Sequence, residues 1–364
     1  MDLKTATATK IVAPFDGISP APRDLRKTGI HPDHWYPLAR SRDLKPARTL
    51  GVSFAGNPIV VVRAEDGSVF ALEDRCAHRQ VPLRLGVVHG GKLQCGYHRW
   101  TYDRTGKCVN VPYLDESKCL PNGVRSYPCR EAYGFVFVYP GDVSKLGATA
   151  FPEIPTHADP AYRTRVLDRE VRCHYSFMHE NLMDMNHQFL HRRLMDKIKT
   201  VFLGLREGAA WIDADYTFRR TAGKQPWGEE LIIQRRKGVD ESGRSDLMTI
   251  RTEYPYQTLR FWTAGGEHPV LSLWNAYVPT DREQRVNHTY GLLMIRKPSI
   301  PGLIHLLWPG IVWFTEAIFR EDRRIVELEQ KAFDAQGADW NQEIFPMIQG
   351  LRRVLLRQGV PLGS

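Results

Sequence analysis

The sequence predicts an α+β protein in which an all-β module precedes an antiparallel sheet gripped by helices. Three observations predict it. From His34 to about Asp142 the chain reads only as short strands punctuated by turn residues. Pro152, Pro155 and Pro160 then mark a linker. Beyond them comes a series of strand-like segments, bracketed by two stretches with helical spacing. The implied division is an arm over residues 1–33, a first domain over 34–145 and a second over 146–364.

Taken in order, residues 1–33 are rich in Pro, Lys, Thr and Ala without periodicity, as expected of a flexible arm. Ordered structure is expected to begin at His34-Trp-Tyr-Pro-Leu38. Ile59–Val62, Asp66-Gly67 and Val69–Leu72 form a hairpin signature with Asp-Gly at the turn. Gly134–Tyr139 is a further strand. In the second half, strands are expected at Thr164–Val171, Trp211–Arg219, Leu231–Arg236, Leu247–Glu253, Thr258–Thr263, Val270–Val278 and Val286–Ile295. Several alternate apolar with polar residues, as an antiparallel sheet with one wet face requires. Helices are expected over Ser176–Arg193 and Trp313–Ala335, and there is no internal repeat.

A chain of 364 residues suggests two domains, and 42% hydrophobic with 25% charged residues is enough to bury an ordinary core. Lys and Arg exceed Asp and Glu by 50 to 41, a formal charge of +9, but they are scattered rather than massed in a nucleic-acid-binding tract. Ile300–Phe319 has the length of a bilayer crossing and is apolar apart from His305, Thr315 and Glu316. Pro301 and Pro309 interrupt it, and its ionisable groups would be costly in hydrocarbon. Burial in the second domain, or lining an apolar substrate entrance, fits better than a span; peripheral membrane contact is the other reading. Six cysteines without a signal peptide point to a reducing cytoplasm, with Cys108, Cys119, Cys129 and Cys173 as free thiols.

The chemistry is concentrated in two motifs. In the first, Cys76-Ala-His78 and Cys95-Gly-Tyr-His98 are separated by sixteen residues containing Gly86, Gly90 and Gly91. Structural zinc sites use Cys-x₂₋₄-Cys pairs and histidines three to five residues apart, whereas each pair here mixes one Cys with one His. That arrangement suits a [2Fe–2S] cluster in which two thiolates hold one iron and two imidazoles the other. The segment from Cys95 through Trp100, Gly106 and Cys108 to Pro112 resembles Rieske-type ring-hydroxylating oxygenases. Two departures are visible: Arg99 stands where a Gly is usual, and Gly96 where a Pro is common. Val81 and Tyr97 occupy the places of the disulfide cysteines of respiratory Rieske proteins, which disfavours that branch. Arg79, Arg84 and Arg99, inside the loops, are expected to form a docking rim for an acidic electron donor.

The second motif is Asn181-Leu-Met-Asp184-Met-Asn-His187-Gln-Phe-Leu-His191. On one helix, Asp184, His187 and His191 would share a face, and two histidines a turn apart can chelate one metal. A carboxylate from elsewhere completes the 2-His-1-carboxylate set of non-heme Fe(II) oxygenases. By itself the pair reads better as a polar helix face. The resemblance implies iron ligation by His187 and His191, with Asn181 and Asp184 matching the family's Asn-x-x-Asp. Many members leave four residues between the histidines, which falls here on Arg192; three are present, and His179 is the reserve ligand. Glu321-Asp322 through Glu327 is similar to the family's stretch in which the Asp binds iron, so Asp322 is the implied third ligand. Ile318, Asp322, Ile325 and Glu329 would share a partly apolar face, where a carboxylate needs a partner. Glu321, Glu327 and Glu329 are expected to face solvent or to pair with Arg320, Arg323 and Arg324.

The resemblance further implies a terminal oxygenase. A ferredoxin or flavin reductase, drawing on NAD(P)H, would feed single electrons to the cluster. They would pass from His78 or His98 through Asp184 to the Fe(II) of a neighbouring subunit in a head-to-tail homotrimer. With O₂, a small apolar ring compound would be hydroxylated or oxidatively dealkylated. The chain length favours a monooxygenase or demethylase over a cis-dihydroxylating dioxygenase, with an electron carrier fused to a ligand-binding domain as a further alternative. Phe261, Trp262, Trp274, Tyr277, Leu306, Leu307 and Trp308 are candidate pocket residues.

Overall fold

Seven antiparallel strands build the larger sheet of the computed structural model, which describes residues 24–115, 117–195, 197–222, 227, 232 and 245–362. Their spatial order is Tyr162–Val171, Asn287–Arg296, Leu271–Pro279, Tyr256–Trp262, Leu247–Glu253, Trp211–Ala222 and Lys197–Glu207. Six recur within a few residues of the expected bounds. The edge strand Lys197–Glu207 was not expected, because its run of Val201-Phe-Leu203 breaks the alternation and two register shifts interrupt its pairing. The strand expected at Leu231–Arg236 lies outside the described residues except for Ile232, which is helical and packs in the core.

The helices differ more from expectation. Ser176–Arg193 is not one helix but three pieces: Tyr175–Met183, a 3₁₀ turn over Met185–Phe189, and Arg192–Met195. The break is Asp184, which is extended (φ −87°, ψ 95°) and accepts a hydrogen bond from the Asn186 amide at 2.8 Å. A short carboxylate that bonds the backbone two residues on competes with helix continuation. The second helix is longer than expected, Leu303–Gln336, and absorbs the apolar segment around residues 300–319. Pro309 forfeits only the bond to the carbonyl of His305, in an exposed stretch where water can replace it. Ile304, Ile311 and Phe314 pack on Leu167, Leu293 and Ile295 of the sheet. Glu316 pairs with Arg165 at 2.9 Å and with Arg169, and His305 contacts Arg163 at 2.9 Å. No helix of the described residues is long and apolar enough to cross a membrane. A third helix, Pro346–Gln358, packs on the first through Arg352 and Glu180.

The N-terminal half consists of small antiparallel sheets. Asn57–Arg63 and Val69–Glu73 form the expected hairpin, joined by Arg48–Phe54 and Ser126–Tyr127. Val87–His89, Lys92–Gln94, Thr101–Tyr102 and Cys108–Asn110 form another sheet. Its Gly90-Gly91 turn has positive φ at both residues, which only glycine adopts freely, and Glu65 accepts both amides. The arm lies outside the described residues up to residue 23; its remainder is not free. Thr28-Gly29 pairs with Val360-Pro361, and the buried Arg26 bonds Ser176 and Glu180. One core joins both halves: Phe137 meets Trp274 at 6.3 Å, Phe135 meets Tyr290 at 5.6 Å, and the Tyr290 hydroxyl bonds the Leu38 carbonyl.

Candidate metal centres

Two loops with matching backbone geometry present the four expected cluster residues. In each, the Cys amide bonds the carbonyl five residues on, Cys76 to Val81 at 2.9 Å and Cys95 to Trp100 at 2.8 Å. The residue four places on returns a bond to the Cys carbonyl, from Gln80 at 2.9 Å and Arg99 at 3.2 Å. Both Gln80 and Arg99 take positive φ, 59° and 61°. This explains the Gly common at the position of Arg99: a left-handed residue with a Cβ is strained by about 1 kcal/mol. Arg99→Gly should therefore raise the thermal midpoint by about 1–3 °C; a lower midpoint in calorimetry would contradict this account of the loop.

The Cys76 and Cys95 sulfurs are buried and close enough to hydrogen-bond each other, while His78 is exposed and His98 half-buried at the tip. The two imidazole rings lie 4.6 Å apart, and His78 stacks on Trp100 at 4.6 Å with planes 3° apart. Two converging thiols beneath two converging imidazoles are the donor set of a mixed-ligand [2Fe–2S] cluster. Arg79 and Arg99 are exposed beside them, as the docking rim requires. Arg84 is exposed too, but its guanidinium and its amide both bond Asp74, whose side chain is wholly buried, so it also anchors the first loop.

The second motif and the long helix meet in a second group. One donor atom each from His187, His191 and Asp322 lies within 4.8 Å of the others. The Nε2 atoms of His191 and His187 stand 3.2 and 3.6 Å from Asp322 Oδ1, with the rings 79° apart. Asn181 Nδ2 reaches the same Asp322 oxygen at 3.5 Å. Burial would lower the pKa of His191, but Asp322 and then Glu321 outweigh it and raise it. His179, the reserve, is not brought to this group. It is buried against Tyr277, and burial holds it at about 3, so it stays a neutral core residue. Nor does Asp184 bond an imidazole here; it caps the 3₁₀ turn, and His187 Nδ1 is buried without a partner among the described residues. On the long helix the inward stripe runs through the half-buried Ile318 and Asp322 to the buried Val326 and Gln330, not through the exposed Ile325 and Glu329. Glu327 pairs with Arg323 at 2.9 Å as expected. Glu321 does not face an arginine: it bonds His191 Nδ1 at 2.8 Å.

Residues 34–128 match the Rieske [2Fe-2S] domain, and residues 171–347 match the vanillate O-demethylase oxygenase C-terminal domain. The chain belongs to the Rieske non-heme iron oxygenases. It is 29% identical over 352 residues to 4beta-methylsterol monooxygenase of Methylococcus capsulatus, covering 93% of this chain and 91% of that one. It is 36% identical over 159 residues to the oxygenase component of dicamba O-demethylase of Stenotrophomonas maltophilia, covering 43% of this chain and 47% of that one. Its fold matches dicamba monooxygenase bound to dicamba with a TM-score of 0.71 at 22% identity, over 91% of this chain and 98% of that one.

As a Rieske oxygenase the chain uses a [2Fe–2S] cluster, a mononuclear iron, O₂ and electrons from a ferredoxin or reductase to hydroxylate or oxidatively dealkylate an apolar substrate. Tyr102 is a candidate functional residue outside the motif. Its hydroxyl is 3.2 Å from Cys76 Sγ and accepts the Ala77 amide at 3.1 Å. The available signal was its place two residues beyond Trp100, on the strand leaving the second loop. A hydrogen bond to a ligand sulfur favours the reduced, more negative cluster. Tyr102→Phe should lower the cluster's potential by on the order of 50 mV, about 1 kcal/mol for one electron. An unchanged midpoint in a redox titration would remove Tyr102 from this role.

The candidate pocket residues divide between the two faces of the sheet. Tyr277 and Phe261 face the helices, and the Asp322 charge adds to burial in raising the Tyr277 phenol. Trp262 and Trp274 point the other way, into a hollow of about 740 Å³ shared with His34, Phe151 and Arg260. Period-2 alternation enforces this, since neighbouring strand residues cannot share a face. Leu307 and Trp308 pack beneath the long helix, whereas Leu306 is 78% exposed.

Proposed function

We propose that this Rieske oxygenase is a cytoplasmic terminal monooxygenase or demethylase acting on a bulky apolar ring compound, assembled as a head-to-tail homotrimer. Cys76, His78, Cys95 and His98 hold the cluster in a domain ending near residue 145; His187, His191 and Asp322 hold the iron in the domain that follows. The observation that carries this reading is the convergence of His187, His191 and Asp322 on one point in a chain that also presents the two cluster loops. Two imidazoles and one carboxylate are the set that leaves open positions on ferrous iron. When bound, that iron supplies O₂ activation, and the cluster supplies single electrons.

The chain's own residues supply the rest. Asn181 orients Asp322 by donating to its Oδ1. Asp184, at the break between helix and 3₁₀ turn, is the carboxylate that bridges to the cluster of a neighbouring subunit. Leu167, Leu271, Leu273, Leu293 and Phe314 exclude water beneath the long helix. Tyr277 and Asn275 set hydrogen-bonding groups into that apolar wall, with Tyr277 Oη 2.9 Å from Gln257 Oε1. Such a wall suits a large hydrocarbon framework with one polar handle, and the sterol-directed relative that spans over nine-tenths of this chain supports that choice. A smaller aromatic ether is the second reading, favoured by the dicamba-directed relative. Incubating enzyme, electron donor and a panel of ring compounds under ¹⁸O₂ tests both. One label in a hydroxylated polycycle supports the first reading, loss of an O- or N-methyl group the second, and two labels in one product would overturn the monooxygenase assignment.

A further inference from the structure

We infer that Glu321 is a positioning residue for the iron: it holds His191 in the tautomer and orientation that aim Nε2 at the metal. The inference rests on the reading above that His191 is a ligand. Consecutive carboxylates of one helix grip both nitrogens of one imidazole, Asp322 at Nε2 (3.2 Å) and Glu321 at Nδ1 (2.8 Å). An ionised carboxylate only accepts, so the bond to Glu321 places the proton on Nδ1 and leaves the Nε2 lone pair free for the metal. His191 is 4% exposed, and water has little access to replace that acceptor.

The two histidines are not equivalent in this respect. His187 Nδ1 is buried and has no hydrogen-bond partner among the described residues, so nothing there selects its tautomer. His191 also sits one residue short of the spacing common in the family, after a 3₁₀ turn rather than on a continuous helix. Its direction therefore comes from the long helix across from it, not from its own backbone. A carboxylate behind a ligating histidine fixes the ring and raises its basicity, and losing such a partner costs 10–100-fold in metal affinity.

The test compares Fe(II) binding by wild type, E321L, E321Q and H187A, anaerobically and by chelator competition, with the cluster's visible spectrum as a check on folding. Leu fills the space without accepting a hydrogen bond; the Gln carbonyl still accepts one, more weakly. E321L is expected to bind Fe(II) about 10–100-fold more weakly than wild type, with E321Q in between and the cluster spectrum unchanged in both. Unaltered affinity in E321L, or equal losses in E321L and E321Q, overturns the inference while leaving the site intact. A wild-type chain that binds no more Fe(II) than H187A overturns the iron site itself, and this inference with it.

Discussion

His187→Ala should empty the mononuclear site and abolish product formation while leaving the cluster's visible spectrum unchanged. Among the described residues, His187 Nε2 is one of three donor atoms that converge, 3.6 Å from Asp322 Oδ1, and its truncation leaves one imidazole and one carboxylate. Two protein ligands do not make the facial set that retains ferrous iron against solvent. The side chain is half-buried, so little packing is lost, and the residue is remote in sequence from both cluster loops. Iron analysis should therefore fall from about three per chain to about two, the cluster pair. Retained turnover, or loss of the cluster's colour together with the third iron, would sink the assignment.

Asp184→Asn should keep both metals and still slow turnover by about 10–100-fold, the usual cost of removing a partner just outside a metal's ligands. Asparagine retains an oxygen that can accept the Asn186 amide, so the 3₁₀ turn that presents His187 survives the change. What disappears is the negative charge through which Asp184 would bridge to a cluster histidine of the neighbouring subunit. After rapid mixing of the reduced protein with O₂ and substrate, the cluster should stay reduced for longer than in wild type. Wild-type rates of cluster oxidation and product release would remove Asp184 from the path between the centres.

Much of the site was legible because its chemistry is local. Cysteine and histidine two and three residues apart can serve one cluster only from a tight loop, and the loops around Cys76 and Cys95 are such turns. Asp322 was accessible only through family resemblance, since no spacing links it to a motif more than a hundred residues earlier. The expected faces failed where continuity was assumed. A single helix from Ser176 to Arg193 would have aligned Asp184 with the histidines, but Asp184 ends that helix instead. The candidate pocket residues divide for a similar reason: Trp262 and Trp274 share the aromatic character of Tyr277 and Phe261 but not their face.

From residue order alone came the fold class, most strands and the four cluster residues, because these follow from side-chain type and short-range spacing; the three iron residues needed the family resemblance as well. Tertiary structure decided which distant groups meet. It set Glu321 against His191 rather than an arginine, tied Arg84 to a buried Asp74, turned the apolar stretch near residue 310 into a packed helix, and pinned Thr28-Gly29 to Val360-Pro361. Each of these is a pairing across more than one element, where burial forces a polar group to find whichever partner the packing brings within reach.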